Sequence, residues 1–221
     1  MDPGMNQLLK WGIENSNATT DNPPAEPASA NRLNPEALAA LLGGPSDAEV
    51  MVASMNVINS TGSALDDKLV AFDNLEQLVE TIDNANNLEA LGLWMPLVQT
   101  LKNEEPELRR MAAWCIGTAV QNNPRAQERL LTLEAIPALA NLALSDPAPN
   151  VRQKAVYALS SGIRNYTPAL NVVLQILPEQ IVGRPPANVD AGDMEAIDQI
   201  MTNLRERSKA MSAPGTDLGL G

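Results

Sequence analysis

Histidine is absent from this chain, and cysteine occurs once. Those two facts remove much of the chemistry a protein can carry. Without imidazole there is no Ser-His-Asp or Cys-His nucleophile and no histidine metal site; with one thiol there is neither an internal disulfide nor a cysteine zinc site. Aromatic residues are scarce too, with one Phe, two Tyr and three Trp, so the core must be built from Leu, Ala, Val, Ile and Met, which suits packed helices. Positive charge is also short: 15 Lys and Arg stand against 27 Asp and Glu, a net charge of −12. Binding phosphates requires a basic stripe, and none is visible, so the expected partners are proteins and not nucleic acid. No stretch approaches the roughly 18 apolar residues of a membrane span, so no membrane is expected. The opening text, MDPGMNQLLK, has no long apolar run or cleavage site and points to the cytoplasm.

What the chain does contain is repetition. LRRMAAWCIGTAVQNN at 108–123 has a shifted copy, VRQKAVYALSSGIRNY, at 151–166. Each opens with a basic residue (Arg109, Arg152), carries one aromatic (Trp114, Tyr157, 43 residues apart) and ends in polar text with Asn. The segments ahead repeat as well, WMPLVQTL at 94–101 and AIPALANL at 135–142, with prolines 41 residues apart. A helical period in the low forties, broken by Asn/Pro turns, falls in the range of HEAT and armadillo solenoids. Neighbouring units stack because none can bury its apolar face alone. A short, a medium and a long helix per period favour armadillo, so the fold class is all-α, an armadillo-like solenoid of three to four repeats.

Along the chain, 1–30 reads as a flexible N-terminal segment holding a short helix over Met5–Asn15 and a linker rich in Pro, Asn and Thr. The repeat domain is expected over 31–177. It starts with a short helix between Asn34-Pro35 and Gly43-Gly44-Pro45, then a capping box, Ser46-Asp-Ala-Glu49. A longer helix over Leu65–Ile82 follows and leads into a polar turn at Asp83–Asn87. Residues 178–209 form an irregular crossing followed by an amphipathic capping helix from Asp193, and 210–221 a disordered tail. Cys115 lies on an apolar stretch and reads as a core thiol.

Acidic pairs such as Asp66-Asp67 and Glu104-Glu105 sit at predicted turns or helix starts, where capping and solvation explain them. No catalytic residue, cofactor or metal is expected. The remaining candidate is a surface, since residues at i, i+4 and i+8 share one helix face. That ladder is Asp73, Gln77, Thr81; Trp114, Thr118, Asn122; Tyr157, Ser161, Asn165, with Arg164 beside it. Trp114 and Tyr157 either grip a partner or plug the gaps between repeats.

Four stretches carry a resemblance: LLKWGIENS at 8–16, KLVAFDNLEQLVETIDNANNLEALGLWMPL at 68–97, IGTAVQNNP at 116–124 and ALSSGIRNY at 158–166. In this order they strongly resemble the armadillo-type nucleotide exchange factors of the 70-kDa heat-shock chaperones. The resemblance implies a monomeric, noncatalytic cochaperone that embraces one lobe of the chaperone's ATPase domain and speeds ADP release, so that ATP rebinds and client protein leaves. It places the partner-binding surface on Asn84, Ala85, Asn86 and Asn87 together with the ladder, and implies that Ala85→Arg blocks docking. It also implies that Leu8, Leu9 and Trp11 mimic a client and engage the chaperone's substrate-binding domain; the alternative for that segment is a small helix docked on the solenoid. A regular fourth repeat is not recognisable after Leu177, which leaves Arg184, Arg205 and Arg207 as candidate replacements for its grip. The competing class is an armadillo adaptor for extended peptides or a scaffold. In such adaptors Trp and Asn recur four apart, whereas here Thr118 and Ser161 hold the second position.

Overall fold

A computed structural model describes residues 44–183 and 189–211. The chain divides into two units, Met1–Ser46 and Asp47–Gly221, and the helices below belong to the second. In order they are α1 (Asp47–Asn59), α2 (Leu65–Val79), α3 (Ile82–Ala90), α4 (Trp94–Thr100), α5 (Pro106–Val120), α6 (Pro124–Thr132), α7 (Ala135–Ser145), α8 (Pro149–Ile163), α9 (Thr167–Ile176), α10 (Glu179–Val182) and α11 (Met194–Ala210). The triplets α3–α4–α5 and α6–α7–α8 are the two full repeats, each ending in a 15-residue helix. The expected helices before residue 44, and Leu8, Leu9, Trp11 and Arg184, lie outside the described residues.

Local chemistry sets the helix boundaries. Pro106, Pro124 and Pro149 each occupy a first turn, where the missing N–H costs nothing and φ is already helical. Asn122 and Asn165, just past α5 and α8, take left-handed φ of 53° and 56°, which Asn tolerates better than most residues. Asn123 then caps α6 by accepting from the Ala126 N–H at 3.3 Å.

The long helices α2, α5 and α8 stack side by side, with α5 between the other two. Phe72, Leu75 and Val79 of α2 share one apolar core with Met111, Ile116 and Val120 of α5 and Val151, Ala155 and Leu159 of α8. On α2 and α8 these recur at three- and four-residue intervals, and α5 and α8, packed on more than one side, bury most of their residues. A fully buried Leu contributes about 2 kcal/mol; a single repeat would leave many such side chains wet, and stacking supplies the missing wall. Cys115 belongs to this core as expected, and burial, reinforced by Glu76 and Asp73, pushes its thiol well above the usual range.

The basic residue that opens each copy turns out to fasten one repeat to the next. Arg109 donates through Nη1 to the carbonyls of Asn103 and Glu104, both at 2.8 Å, and through Nε and Nη2 to the Asp146 carboxylate at 2.7 and 3.0 Å. Arg152 repeats the pattern, with Nη1 on the carbonyls of Asp146 at 2.6 Å and Pro147 at 3.2 Å. Its Nε and Nη2 reach the hydroxyl and carbonyl of Ser208 at 3.0 and 2.9 Å. Ser208, on α11, thus stands where Asp146 of the following repeat stands for Arg109. The final helix packs against α8 and α7.

One boundary differs from expectation. The run from Leu65 is not a single helix to Ile82 followed by a turn; α2 stops at Val79 and α3 covers the whole Asp83–Asn87 stretch. The reason is Thr81. Its backbone is extended and its hydroxyl accepts from the Asn84 N–H at 3.4 Å, which starts a new helix, with Asp83 favourably placed in the first turn.

Candidate partner-binding groove

The stacking of α2, α5 and α8 leaves a groove lined by Glu76, Glu80 and Ile82 on one side, Trp114, Thr118, Gln121 and Asn122 on α5 and beyond, and Tyr157 on α8. Its volume is about 520 Å³. Trp114, Thr118 and Tyr157 are half-buried, and Asn122 is exposed at the groove's end.

The floor is a connected polar chain. Thr118 Oγ1 donates to Glu76 Oε1 at 2.7 Å and lies 3.4 Å from the Tyr157 hydroxyl, which donates to Gln121 Oε1 at 3.1 Å. Tyr157 can lie across α5 because residue 117 is glycine. A Cβ there would meet Tyr157 Cδ1 and Cε1 at 2.6 Å and Ala158 Cα at 3.0 Å. Lys154, one turn before Tyr157, places its ammonium 3.3 Å from the centre of the Trp114 ring and 5.8 Å from that of Tyr157. Burial pulls this ammonium below the usual lysine range; Arg110 adds to the effect, while Glu76 and Cys115 oppose it. The two aromatics therefore both seal the repeat junction and face the groove.

Several predicted site residues sit elsewhere. Asn84 and Ala85 are buried: Asn84 Nδ2 donates to Asp47 Oδ2 at 2.8 Å, and Ala85 is 2% exposed. As helix residues they face α1 and the core, and their side chains are not presented to a partner. Asn86 accepts from Asn123 Nδ2 at 3.2 Å across the repeat junction, and Asn87 is exposed. Ser161 is buried too, its carbonyl accepting from Gln127 Nε2 at 2.9 Å. Arg164 is tied to the cap, contacting Asp198, Met194 Sδ and Ser160 Oγ. Asn165 is exposed, and its N–H donates to the Ala191 carbonyl at 2.9 Å.

On α2 the lining residues are Glu76 and Glu80 instead of Asp73, Gln77 and Thr81. Aligning α2 with α5 by residue spacing sets the register along the helices but not which edge turns toward the neighbour. Lys154, Glu76, Glu80, Ile82 and Gln121 were missed for the same reason, although the i, i+4 pair Glu76–Glu80 is readable once the edge is known. Arg205 and Arg207 are on α11, and Arg205 lines a separate hollow with Pro149, Gln153, Val156, Ser208 and Lys209. Among the described residues no cluster of three metal-ligating side chains occurs, and no helix is long and apolar enough to cross a membrane.

Comparison with known proteins identifies the family. Residues 5–88 match the family described as nucleotide exchange factor Fes1, and 84–181 match the SIL1/FES1/HPBP1 C-terminal domain. A Gibberella zeae protein named Hsp70 nucleotide exchange factor FES1 is 54% identical over 93% of this chain and 97% of its own length. A Coccidioides immitis protein of the same name is 50% identical over 93% and 99%. A Neurospora crassa relative, Hsp70 nucleotide exchange factor fes-1, is 41% identical over 95% and 100%. Among solved structures, a designed armadillo repeat protein in complex with the peptide (KR)4 superposes with a TM-score of 0.53 at 18% identity, over 74% of this chain and 70% of that one. An engineered protein reaches 0.56 at 16% identity, over 79% and 71%. The structural likeness carries the armadillo-like fold alone; the sequence matches carry more, and by them the chain belongs to the Fes1 family of nucleotide exchange factors and is not an enzyme.

Proposed function

We propose that this chain binds the ATPase domain of a cytosolic 70-kDa heat-shock chaperone through the groove between α2, α5 and α8 and accelerates the loss of ADP. ATP then rebinds and client protein is released. The observation that carries the reading is the groove itself, three stacked helices of which two present half-buried aromatics over a fixed polar floor, a pre-organised surface.

The energetics demand differential binding. A partner with equal affinity for the closed, ADP-bound and the open, nucleotide-poor ATPase domain shifts nothing. The groove must favour the open form, and about a thousandfold faster release corresponds to about 4 kcal/mol taken off the dissociation barrier. The N-terminal segment with Leu8, Leu9 and Trp11 is proposed to compete with client for the substrate-binding domain.

Stopped-flow release of a fluorescent ADP analogue from such a chaperone, with and without this protein, tests the reading. A concentration-dependent rise in the release rate is expected. Deleting residues 1–30 should leave that rise intact and weaken client release. No rise from a correctly folded protein would sink the exchange reading and turn attention to an adaptor that binds extended peptides.

A further inference from the structure

We infer that Glu80 and Ile82 form a recognition pair in the groove, and that the partner's surface fills it with a basic side chain whose aliphatic stem lies on Ile82 and whose charge meets Glu80. This rests on the exchange reading and adds the chemistry by which the partner is recognised.

The floor of the groove is already satisfied. Glu76 accepts from Thr118, the Tyr157 hydroxyl donates to Gln121, and Lys154 sits over Trp114. At the rim the situation reverses. Glu80 is exposed and lines the groove, and its carboxylate forms no hydrogen bond or ion pair among the described residues. It lies between the C-terminus of α2 and the Thr81 N-cap of α3, so the two helix dipoles act on it in opposite senses. An exposed carboxylate with no partner among the described residues adds little to the fold and is available to a partner's charge.

Beside it, Ile82 is 56% exposed at the start of α3 and lines the same groove. An acidic group adjoining an exposed branched apolar side chain is the complement of Arg or Lys, which lay their methylenes on apolar surface and keep the charged head outward. Two carboxylates line the groove and the net charge is −12, so a cationic element is also drawn toward this face from a distance.

The test measures binding of the full chain to the nucleotide-free ATPase domain of a 70-kDa chaperone, at about 50 mM and about 300 mM salt. Glu80→Gln should weaken binding about three- to tenfold at low salt, mainly through a slower on-rate, and flatten the salt dependence. Glu80→Arg should cost more than about thirtyfold, and Ile82→Ser about tenfold at either salt. A neutralisation outside the groove, Glu206→Gln, should leave affinity unchanged.

A merely structural role is separated by thermal unfolding. Glu80→Gln should leave Tm within about 1 °C of the wild type while affinity falls. If the wild type binds but both Glu80 variants match it at both salts, the inference is overturned and the exchange reading stands. If a free arginine-rich peptide binds as tightly as the ATPase domain, the pair reads extended peptides and the inference is also overturned. If the wild type does not bind at all, the exchange reading falls first and takes this inference with it.

Discussion

At Gly117 a single missing methyl lets α8 approach α5 closely enough for the Tyr157 ring to lie across it and close the floor of the groove. Gly117→Ala places a carbon 2.6 Å from that ring and 3.0 Å from the Ala158 backbone. The ring can swing but the backbone cannot move without opening the repeat junction, so a loss of about 1–3 kcal/mol is expected in urea unfolding, together with a red-shifted Trp114 emission as the Lys154–Trp114–Tyr157 stack loosens. A gain in stability, the usual result of Gly→Ala in an open helix, would show that the approach is slack. The 43-residue spacing alone pointed to Trp114 and Tyr157. Lys154 carried no such mark, because what selects it is the separation of two helices, a quantity no spacing within one helix encodes.

The α2–α3 break is the element whose misreading mattered most. Apolar periodicity runs through Leu75, Val79 and Ile82 without interruption, and the break depends on one hydroxyl, that of Thr81. Once Thr81 caps a new helix, Asn84 and Ala85 turn inward against α1. Ala85→Arg is therefore expected to act on the fold: forcing a guanidinium into a site 2% exposed should cost about 3 kcal/mol or more. Circular dichroism melts separate the cases, since a variant with wild-type Tm that fails to exchange would return Ala85 to the docking surface. Other boundaries rest on strong local signals: Pro at the first turn of α5, α6 and α8, and Asn after α5 and α8. The order short, medium, long holds for α6, α7 and α8, with 9, 11 and 15 residues, but not for α3 and α4, with 9 and 7. Which edge of each long helix faces the groove was not legible in the sequence, because edge choice is decided by packing between repeats.

Among the described residues the repeats contact chiefly their neighbours, and Arg109 and Arg152 carry a large share of the polar contact between them. Arg152 is almost completely buried and serves the carbonyls of Asp146, Pro147 and Ser208 and the Ser208 hydroxyl. Arg152→Ala leaves those acceptors without their donor in a dry site, and about 2–4 kcal/mol should be lost in equilibrium unfolding. Arg152→Lys should recover only part, since one ammonium cannot span the fork. A loss below about 0.5 kcal/mol would mean that water replaces the guanidinium and that the clamp is not what holds α11. The same inspection of sequence that found Arg109 and Arg152 at equivalent places could not say what they hold, because their partners lie 37 and 56 residues away.

The capping helix is fastened at both ends, by Arg164 to Met194 and Asp198 in its first turns and by Arg152 to Ser208 near its last. Such a helix does not peel from its free terminus residue by residue. Its opening resembles the lifting of a hasp: the helix stays seated until the Arg152–Ser208 anchor yields, and once it does the face of α8 beneath it is uncovered in one event.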